Sequence, residues 1–176
     1  MRKLAIAAAL SAALFPFSAR AENIQATLTG YEEVPATVST VAAGSFRGLI
    51  SQDEQFIDYE LSYSGLQGDV RQAHIHFAQQ HVSGPIVVWL CQTTANPAPV
   101  GTTPPTCPPS TQTGVTVTGT IRASDVIAAP AAQQIAAGEL EEVIAAMRAG
   151  AAYANVHSSI SPGGEIRGQV RASSRP

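Results

Sequence analysis

The feature that most constrains the fold of this chain is an alternation of apolar and polar side chains in short runs. It is clearest in residues 55–63, where four large side chains share one face: Ile57, Tyr59, Leu61 and Tyr63. A repeat of two residues is that of a β-strand with one buried and one solvated face, which antiparallel sheets allow. Turn residues separate about eight such runs, at residues 23–30, 43–50, 55–63, 70–77, 85–91, 114–121, 152–157 and 165–170.

One stretch has the repeat of a helix instead. Residues 139–149 carry four apolar side chains at helical spacing: Leu140, Val143, Ile144 and Met147. Gly150 follows, where a C′ glycine commonly ends a helix. We therefore predict an all-β fold, an antiparallel Greek-key β-sandwich or flattened barrel of about eight strands with one crossover helix. No repeat or linker divides residues 22–172, which we predict to form one domain.

The N-terminal residues 1–21 have the pattern of an export signal. Residues 1–3 carry positive charge, residues 4–17 are apolar, and Ala19-Arg20-Ala21 fits a small-x-small cleavage pattern. We expect cleavage after Ala21 and a periplasmic or secreted protein, with an uncleaved anchor as the alternative. The apolar run is too short to span a bilayer, and no later run is longer. At the other end, residues 173–176 are expected to form a frayed tail.

Charge limits the partners of the exported chain. Removing Arg2, Lys3 and Arg20, and no acidic residue, takes the formal charge from −3 to −6 and leaves no lysine. A nucleic-acid-binding protein presents a basic surface, and an anionic membrane repels a protein with an acidic surface. We therefore expect an extracytoplasmic protein or a metal ion as the partner, and neither nucleic acid nor a membrane span.

The chain has two cysteines, Cys91 and Cys107. An even pair in an exported protein predicts a disulfide, because the compartments outside the cytoplasm are oxidising. This bond would close a loop rich in threonine and proline and stabilise the fold by roughly 3 kcal/mol. The alternative is that both thiols are metal ligands.

Three of the four histidines fall in two strand-like segments, Ala73-His74-Ile75-His76 and Val156-His157. Residues two apart on a strand point to the same face, so His74 and His76 would lie side by side. His157 from a second strand would complete a set of imidazoles that suits copper or zinc. His81, in a polar turn after His76, is a candidate fourth ligand. The alternative is that the histidines hydrogen-bond across strands and hold the sandwich closed.

Gly163-Gly164-Glu165-Ile166-Arg167-Gly168 predicts a tight turn that opens a strand. Arg167 is a candidate anion guide beside the histidines, and cross-strand ion pairing of Glu165 and Arg167 is the alternative. The chain has no Gly-x-Ser-x-Gly motif, no P-loop and no Cys-x-x-Cys. Serine-hydrolase, nucleotide-binding and thiol-redox functions are therefore not indicated.

These segments resemble, in order along the chain, the CHRD domain, which is named after chordin and also occurs singly in exported bacterial proteins. The matching motifs are Gly30–Pro35, Leu61–Leu66, Ala73–His76, Ser83–Val88, Gly150–Ser158 and Gly163–Gln169. The chain departs from the family pattern at two places. The family has asparagine at the position of Ser83, and it has a glycine after the second histidine, where this chain has Phe77-Ala78. The resemblance implies an exported module without a settled enzymatic activity.

The chain also resembles, more weakly, copper-zinc superoxide dismutase. That family has a His-x-His strand, a later Val-His and a glycine-flanked arginine, which here are His74, His76, His157 and Arg167. The resemblance implies an eight-stranded Greek-key fold and, as an alternative function, a copper-only redox enzyme. The chain lacks a His and Asp cluster for zinc, and its cysteines are placed differently. We therefore expect a non-catalytic binding module with a copper or zinc site, and a purely structural or adhesive module is a further alternative.

Overall fold

A computed structural model describes residues 21–111 and 113–173. These residues contain nine β-strands, one α-helix and three short 3-10 helices. The strands β1 to β9 are Glu22–Thr29, Ala43–Ile50, Phe56–Ser64, Val70–Phe77, Ile86–Cys91, Val115–Arg122, Ala152–Ser158, Ile166–Gln169 and Arg171–Ala172. Helix α1 is Leu140–Arg148, and the 3-10 helices are Gly30–Glu32, Ala123–Asp125 and Ala131–Gln133. All eight predicted strands and the predicted helix are therefore present.

The strands form one antiparallel sheet in the order β5-β4-β7-β8-β1-β2-β3-β6, with the short β9 beside β1. Strands β5 and β6 lie at opposite edges of the sheet, and β7, which follows β6 in sequence, returns to lie beside β4. The two edges of the sheet approach each other where Val88 of β5 forms an antiparallel bridge with Val126, just beyond β6. The result is a nearly closed barrel, and it confirms the predicted fold class.

The inward faces of the strands form the hydrophobic core. Fully buried side chains from four strands meet there: Phe46, Leu61, Ile75 and Val156. Helix α1 adds Val143, Ile144 and Met147 to the same core. It ends in a Schellman motif, in which Ala151 N donates to Ala146 O and Gly150 N donates to Met147 O. Gly150 takes a left-handed φ of 66°, as its predicted place after the helix requires.

Strand β4 is buried on both of its faces. Ala73 and Ile75 point into the core, whereas His74 and His76 point outward and are nevertheless buried. Strand β7 is buried along its whole length. Because loops cover this part of the outer wall, a second buried layer, made of polar side chains, lies outside the barrel.

The disulfide joins Cys91 to Cys107, whose Cα atoms are 4.9 Å apart, and it closes the loop after β5. The two thiols are therefore not metal ligands. Within the described residues, no helix is long and apolar enough to cross a membrane. The predicted signal peptide up to Arg20, and residues 174–176 of the predicted tail, lie outside the described residues. Ser173 N, at the start of that tail, donates a hydrogen bond to Asn23 O of β1.

Candidate metal centre

The outer polar layer is built by the register of three neighbouring strands. In the β4–β7 ladder Gln72 pairs with His157, His74 with Asn155 and His76 with Tyr153. In the next ladder Asn155 pairs with Arg167 and Tyr153 with Gln169. Because paired residues share a face, one surface of the sheet carries all of these side chains. We call this surface the outer polar layer; its buried members are His74, His76, Tyr153, Asn155, His157, Arg167 and Gln169.

Three histidines meet in this layer. His74, His76 and His157 each offer one ring nitrogen, and the three nitrogens all lie within 4.8 Å of one another. Nδ1 of His74 is 3.2 Å from Nε2 of His157. His74 is fully buried, and His76 and His157 are 7% and 6% exposed. The prediction that the third histidine approaches the other two from a different strand is confirmed.

Hydrogen bonds to carbonyl groups fix the tautomers of two of these histidines. Nδ1 of His76 lies 2.9 Å from Gly84 O, and Nδ1 of His157 lies 2.9 Å from Pro162 O. A carbonyl oxygen only accepts hydrogen bonds, so each Nδ1 carries the proton and donates it. Nε2 of each neutral ring therefore carries a lone pair and no proton, which is the form that a metal ligand needs.

The surroundings of His74 leave ring nitrogens without hydrogen-bond partners. The rings of His74 and Trp89 are in edge-to-face contact, with centroids 4.3 Å apart. Among the described residues, neither His74 Nε2 nor His76 Nε2 has a hydrogen-bond partner, although both atoms are buried. Buried polar atoms are usually paired, so two orphaned lone-pair nitrogens in one cluster call for an explanation.

The three imidazoles are neutral at ordinary pH. Burial, with smaller contributions from the neighbouring His157 and His76, lowers the pKa of His74 to about 2. Burial lowers the pKa of His76 to about 4, against the hydrogen bond to Gly84, which raises it. Burial likewise lowers the pKa of His157. The cluster therefore presents uncharged nitrogen donors.

Arg167 reaches the histidines through an aromatic ring. Its guanidinium carbon lies 3.4 Å from the centroid of the Tyr153 ring, and that ring stacks on His76 with a centroid distance of 4.6 Å and an interplanar angle of 2°. Arg167 is 2% exposed. Its Nη2 donates to Val82 O at 2.9 Å and to Gln79 O at 3.4 Å. The guanidinium is thus covered by the loop after β4.

Two carboxyl groups border the layer. Glu33 Oε1 accepts a hydrogen bond from Asn155 Nδ2 at 2.6 Å, and burial raises the pKa of Glu33 to about 7, although Asn155 and Arg167 lower it. Glu165 Oε1 accepts from Thr40 Oγ1 and from Gln67 N, both at 2.8 Å. The ion pairs of the described residues involve only Arg148, with Glu22 and Glu54. Glu165 therefore joins two loops to the residue that precedes β8, and the alternative of cross-strand ion pairing of Glu165 and Arg167 is wrong.

The fourth histidine lies outside the cluster. His81 is exposed and occupies a left-handed turn with a φ of 64°. It belongs to residues 78–84, the cover segment, which follows β4. Of the predicted site residues, the structure therefore brings His74, His76 and His157 together, places Arg167 behind Tyr153, and leaves His81 at the surface.

Sequence reasoning missed Tyr153, Asn155 and the Gly84 carbonyl. A signal for the first two exists, because Tyr153, Asn155 and His157 lie two residues apart on a strand whose other face is apolar. Nothing comparable marks Gly84, which acts through its backbone. A Cβ there would lie 2.2 Å from Phe77 O, so the close approach of the two segments requires glycine.

The family model of the CHRD domain matches residues 24–170, from β1 to the residue between β8 and β9. No curated protein and no solved structure matches the chain. CHRD domains are extracellular-type modules, and the disulfide fits an extracytoplasmic protein. The weaker resemblance to copper-zinc superoxide dismutase stays a prediction. Because the family model matches residues 24–170, which are most of the chain, the protein belongs to the CHRD domain family.

Proposed function

We propose that this protein is an exported, non-catalytic CHRD module that binds one Cu(II) or Zn(II) ion through His74, His76 and His157. The observation that carries the proposal is the convergence of three neutral ring nitrogens within 4.8 Å. On this proposal the N-terminal residues 1–21 are removed as a signal peptide.

The donor set favours a transition metal of the copper and zinc type. Hard cations such as Ca²⁺ and Mg²⁺ prefer oxygen ligands, whereas neutral imidazoles suit copper and zinc. The ion would be held by Nε2 of His76 and Nε2 of His157, because the other nitrogen of each ring donates to a carbonyl. His74 would contribute Nδ1, which faces His157. When bound, the ion would act as a Lewis acid or, in the case of copper, as a redox centre.

The residues around the cluster also have the features of a metal site. Second-shell groups commonly orient ligand histidines by accepting the proton of the ring nitrogen that does not bind the ion. The carbonyls of Gly84 and Pro162 do this for His76 and His157. The buried Nε2 of His76 has no hydrogen-bond partner among the described residues. Such an unpaired nitrogen costs roughly 1–3 kcal/mol, a cost that an ion bound to His76 would offset.

Metal analysis of the exported protein, purified without a histidine tag, tests the proposal. After loading with Cu(II) or Zn(II) and removal of free ion, we expect about one equivalent bound. The matched variants are His76→Gln, which removes a proposed ligand, and His81→Gln, which makes the same change at the exposed histidine. We expect His76→Gln to lose the ion and His81→Gln to keep it. Less than about a tenth of an equivalent in the unsubstituted protein would overturn the proposal.

The non-catalytic part of the proposal rests on Arg167. An anion guide needs a guanidinium that a solvent anion can reach, as electrostatic steering acts through accessible charge. Here Arg167 is 2% exposed, and its Nη2 is committed to two carbonyls of the cover segment. This arrangement favours a structural task for Arg167 over guidance of a substrate anion.

A further inference from the structure

The strongest unexplained feature is a buried cation with no acidic partner at ion-pair distance among the described residues. Arg167 is 2% exposed, and the ion pairs of the described residues all involve Arg148. Burying a guanidinium is unfavourable unless its surroundings compensate for the lost water. The guanidinium is compensated by the face of the Tyr153 ring, by two carbonyl oxygens of the cover segment and by the electrostatic field of Glu33. Its Nη1 has no hydrogen-bond partner among the described residues. A cation at this buried position therefore indicates a role that an apolar side chain could not fill.

The contacts of Arg167 lead in two steps to His76. The guanidinium lies 3.4 Å from the centroid of the Tyr153 ring, and the Tyr153 ring is in turn stacked on His76, with an angle of 2° between the two ring planes. The three side chains therefore form one column, with Tyr153 in the middle. A parallel stack limits rotation of the His76 ring about its side-chain bonds, because a rotated ring would collide with Tyr153. The column therefore fixes the plane of the imidazole.

A second set of contacts fixes which nitrogen of His76 is free. Gly84 N donates to Tyr153 Oη at 3.2 Å, while Gly84 O accepts from His76 Nδ1 at 2.9 Å. The backbone of Gly84 is thus hydrogen-bonded to both stacked side chains. Arg167 anchors the same cover segment through Val82 O and Gln79 O. Tyr153 and Arg167 therefore hold in place the carbonyl that determines the tautomer of His76.

We propose that Tyr153 and Arg167 are positioning residues for His76: they lock its ring plane and its Nδ1–H tautomer, so that Nε2 is presented to a metal ion. The inference rests on the proposed function for the identity of the ligand, but the locked tautomer is a property of the metal-free protein. Its failure can therefore be told apart from failure of metal binding.

The test uses long-range ¹H–¹⁵N correlation spectra of the metal-free protein, in which the two tautomers of a neutral histidine give different patterns. In the unsubstituted protein we expect His76 to be a single Nδ1–H tautomer. Tyr153→Phe keeps the ring and removes the oxygen that accepts from Gly84 N. Arg167→Lys keeps the charge and removes the planar stack and the two-carbonyl anchor. In each variant we expect averaging or splitting of the His76 signals.

Zn(II) affinity supplies a second measurement on the same variants. Second-shell changes commonly weaken metal binding by about 10–100-fold, and we expect a loss in that range for both variants. The matched control is Tyr63→Phe. Tyr63 is also a buried tyrosine whose hydroxyl bonds to the backbone, but it donates to Pro108 O, away from the cluster. The control should leave the His76 tautomer and the affinity unchanged.

The outcomes separate the two proposals. If Tyr153→Phe and Arg167→Lys both fold and keep the single Nδ1–H tautomer of His76, the positioning proposal is overturned, whatever the metal affinity. If the tautomer is lost in these variants but the unsubstituted protein binds no ion, the positioning proposal stands and the metal-binding function fails. Far-ultraviolet circular dichroism of each variant verifies that the barrel is intact.

Discussion

Nδ1 of His74 and Nε2 of His157 lie 3.2 Å apart, across the ladder between β4 and β7. Because Nδ1 of His157 donates to Pro162 O, its Nε2 is an acceptor, and His74 Nδ1 carries the proton between them. Two nitrogens bound at about 2.0–2.1 Å to one tetrahedral ion would also lie about 3.4 Å apart. The distance between the two nitrogens therefore suits either a hydrogen bond between them or a metal ion bound to both.

This relationship predicts a change of tautomer at His74. In the metal-free protein we expect the proton on Nδ1, and in the Zn(II)-loaded protein on Nε2, because Nδ1 must give up its proton to bind the ion. Long-range ¹H–¹⁵N correlation spectra of the two forms measure this directly. An unchanged Nδ1–H pattern of His74 in the loaded protein would show that His74 does not bind zinc through Nδ1.

The single tryptophan of the chain should report copper binding. Trp89 is in edge-to-face contact with His74 at 4.3 Å, so a Cu(II) ion on His74 would quench its fluorescence strongly, whereas Zn(II), which is redox-inert, would not. We expect saturation at about one equivalent of Cu(II). The quenching should be unchanged in His81→Gln and lost in His74→Gln. Equal quenching in all three proteins would locate the copper elsewhere.

The buried histidines predict a pH dependence of stability. Burial lowers the pKa of His74 to about 2 and of His76 to about 4, whereas the unfolded chain titrates near 6.5. Below that pH the unfolded state binds more protons, so the free energy of unfolding falls as pH falls towards about 4. Each histidine contributes up to about 1.4 kcal/mol per pH unit. Glu33 acts oppositely, because its raised pKa makes the folded state bind the proton more tightly between pH 4.5 and 7.

One carboxyl group opposes at least two imidazoles, so we expect the histidines to set the net sign. Urea unfolding of the metal-free protein at pH 7.5, 6 and 5 measures it. His76→Gln should show a shallower dependence than the unsubstituted protein. Greater stability at pH 5 than at pH 7.5 would contradict the predicted burial of neutral histidines.

Gly168 is expected to tolerate no side chain. A Cβ there would lie 2.1 Å from Thr27 O, because β8 passes close to β1. We expect Gly168→Ala to lower the free energy of unfolding by about 3 kcal/mol, the upper range for overpacking. Gly163→Ala is the matched control, since nothing lies within 4 Å of a Cβ at that position. Its effect should stay within about 0.5 kcal/mol. Equal effects of the two substitutions in urea unfolding would contradict a tight contact between Gly168 and Thr27.

The copper-loaded protein should turn over superoxide no faster than free copper. The reason is that Arg167, the candidate anion guide, is buried beneath the cover segment. A rate well above that of free copper, together with its loss in Arg167→Ala, would favour the redox enzyme over the binding module.

Most of the fold was predictable because its strands alternate. Strand β3, for example, lies within a residue of its predicted bounds, since Ile57 and Leu61 face the core while Asp58 and Glu60 face solvent. The two-residue strand β9 was not predictable, because two residues are too few to show a period. Its pairing with β1 depends on tertiary structure, which local sequence does not specify.

The candidate site was predictable only where side-chain identity marks it. His74, His76 and His157 are distinguished by residue type and by a spacing of two on a strand. The register that sets Tyr153 opposite His76 was hidden, because the two residues are 77 positions apart in sequence and only strand pairing brings them together. Gly84 acts through a carbonyl that every residue has, so no sequence pattern distinguishes it.

Because the histidines lie outside the barrel wall, folding of the barrel would not depend on the metal ion that we propose they bind. On β4, Ala73 and Ile75 complete the core without any contribution from His74 and His76. Unlike a zinc finger, which is unfolded without its ion, this chain would reach its final shape first and acquire a metal afterwards. On the proposed function, the metal supply outside the cytoplasm, and not that of the cytoplasm, would then decide which ion the protein carries. A CHRD domain that lost these histidines would still be able to form the same barrel.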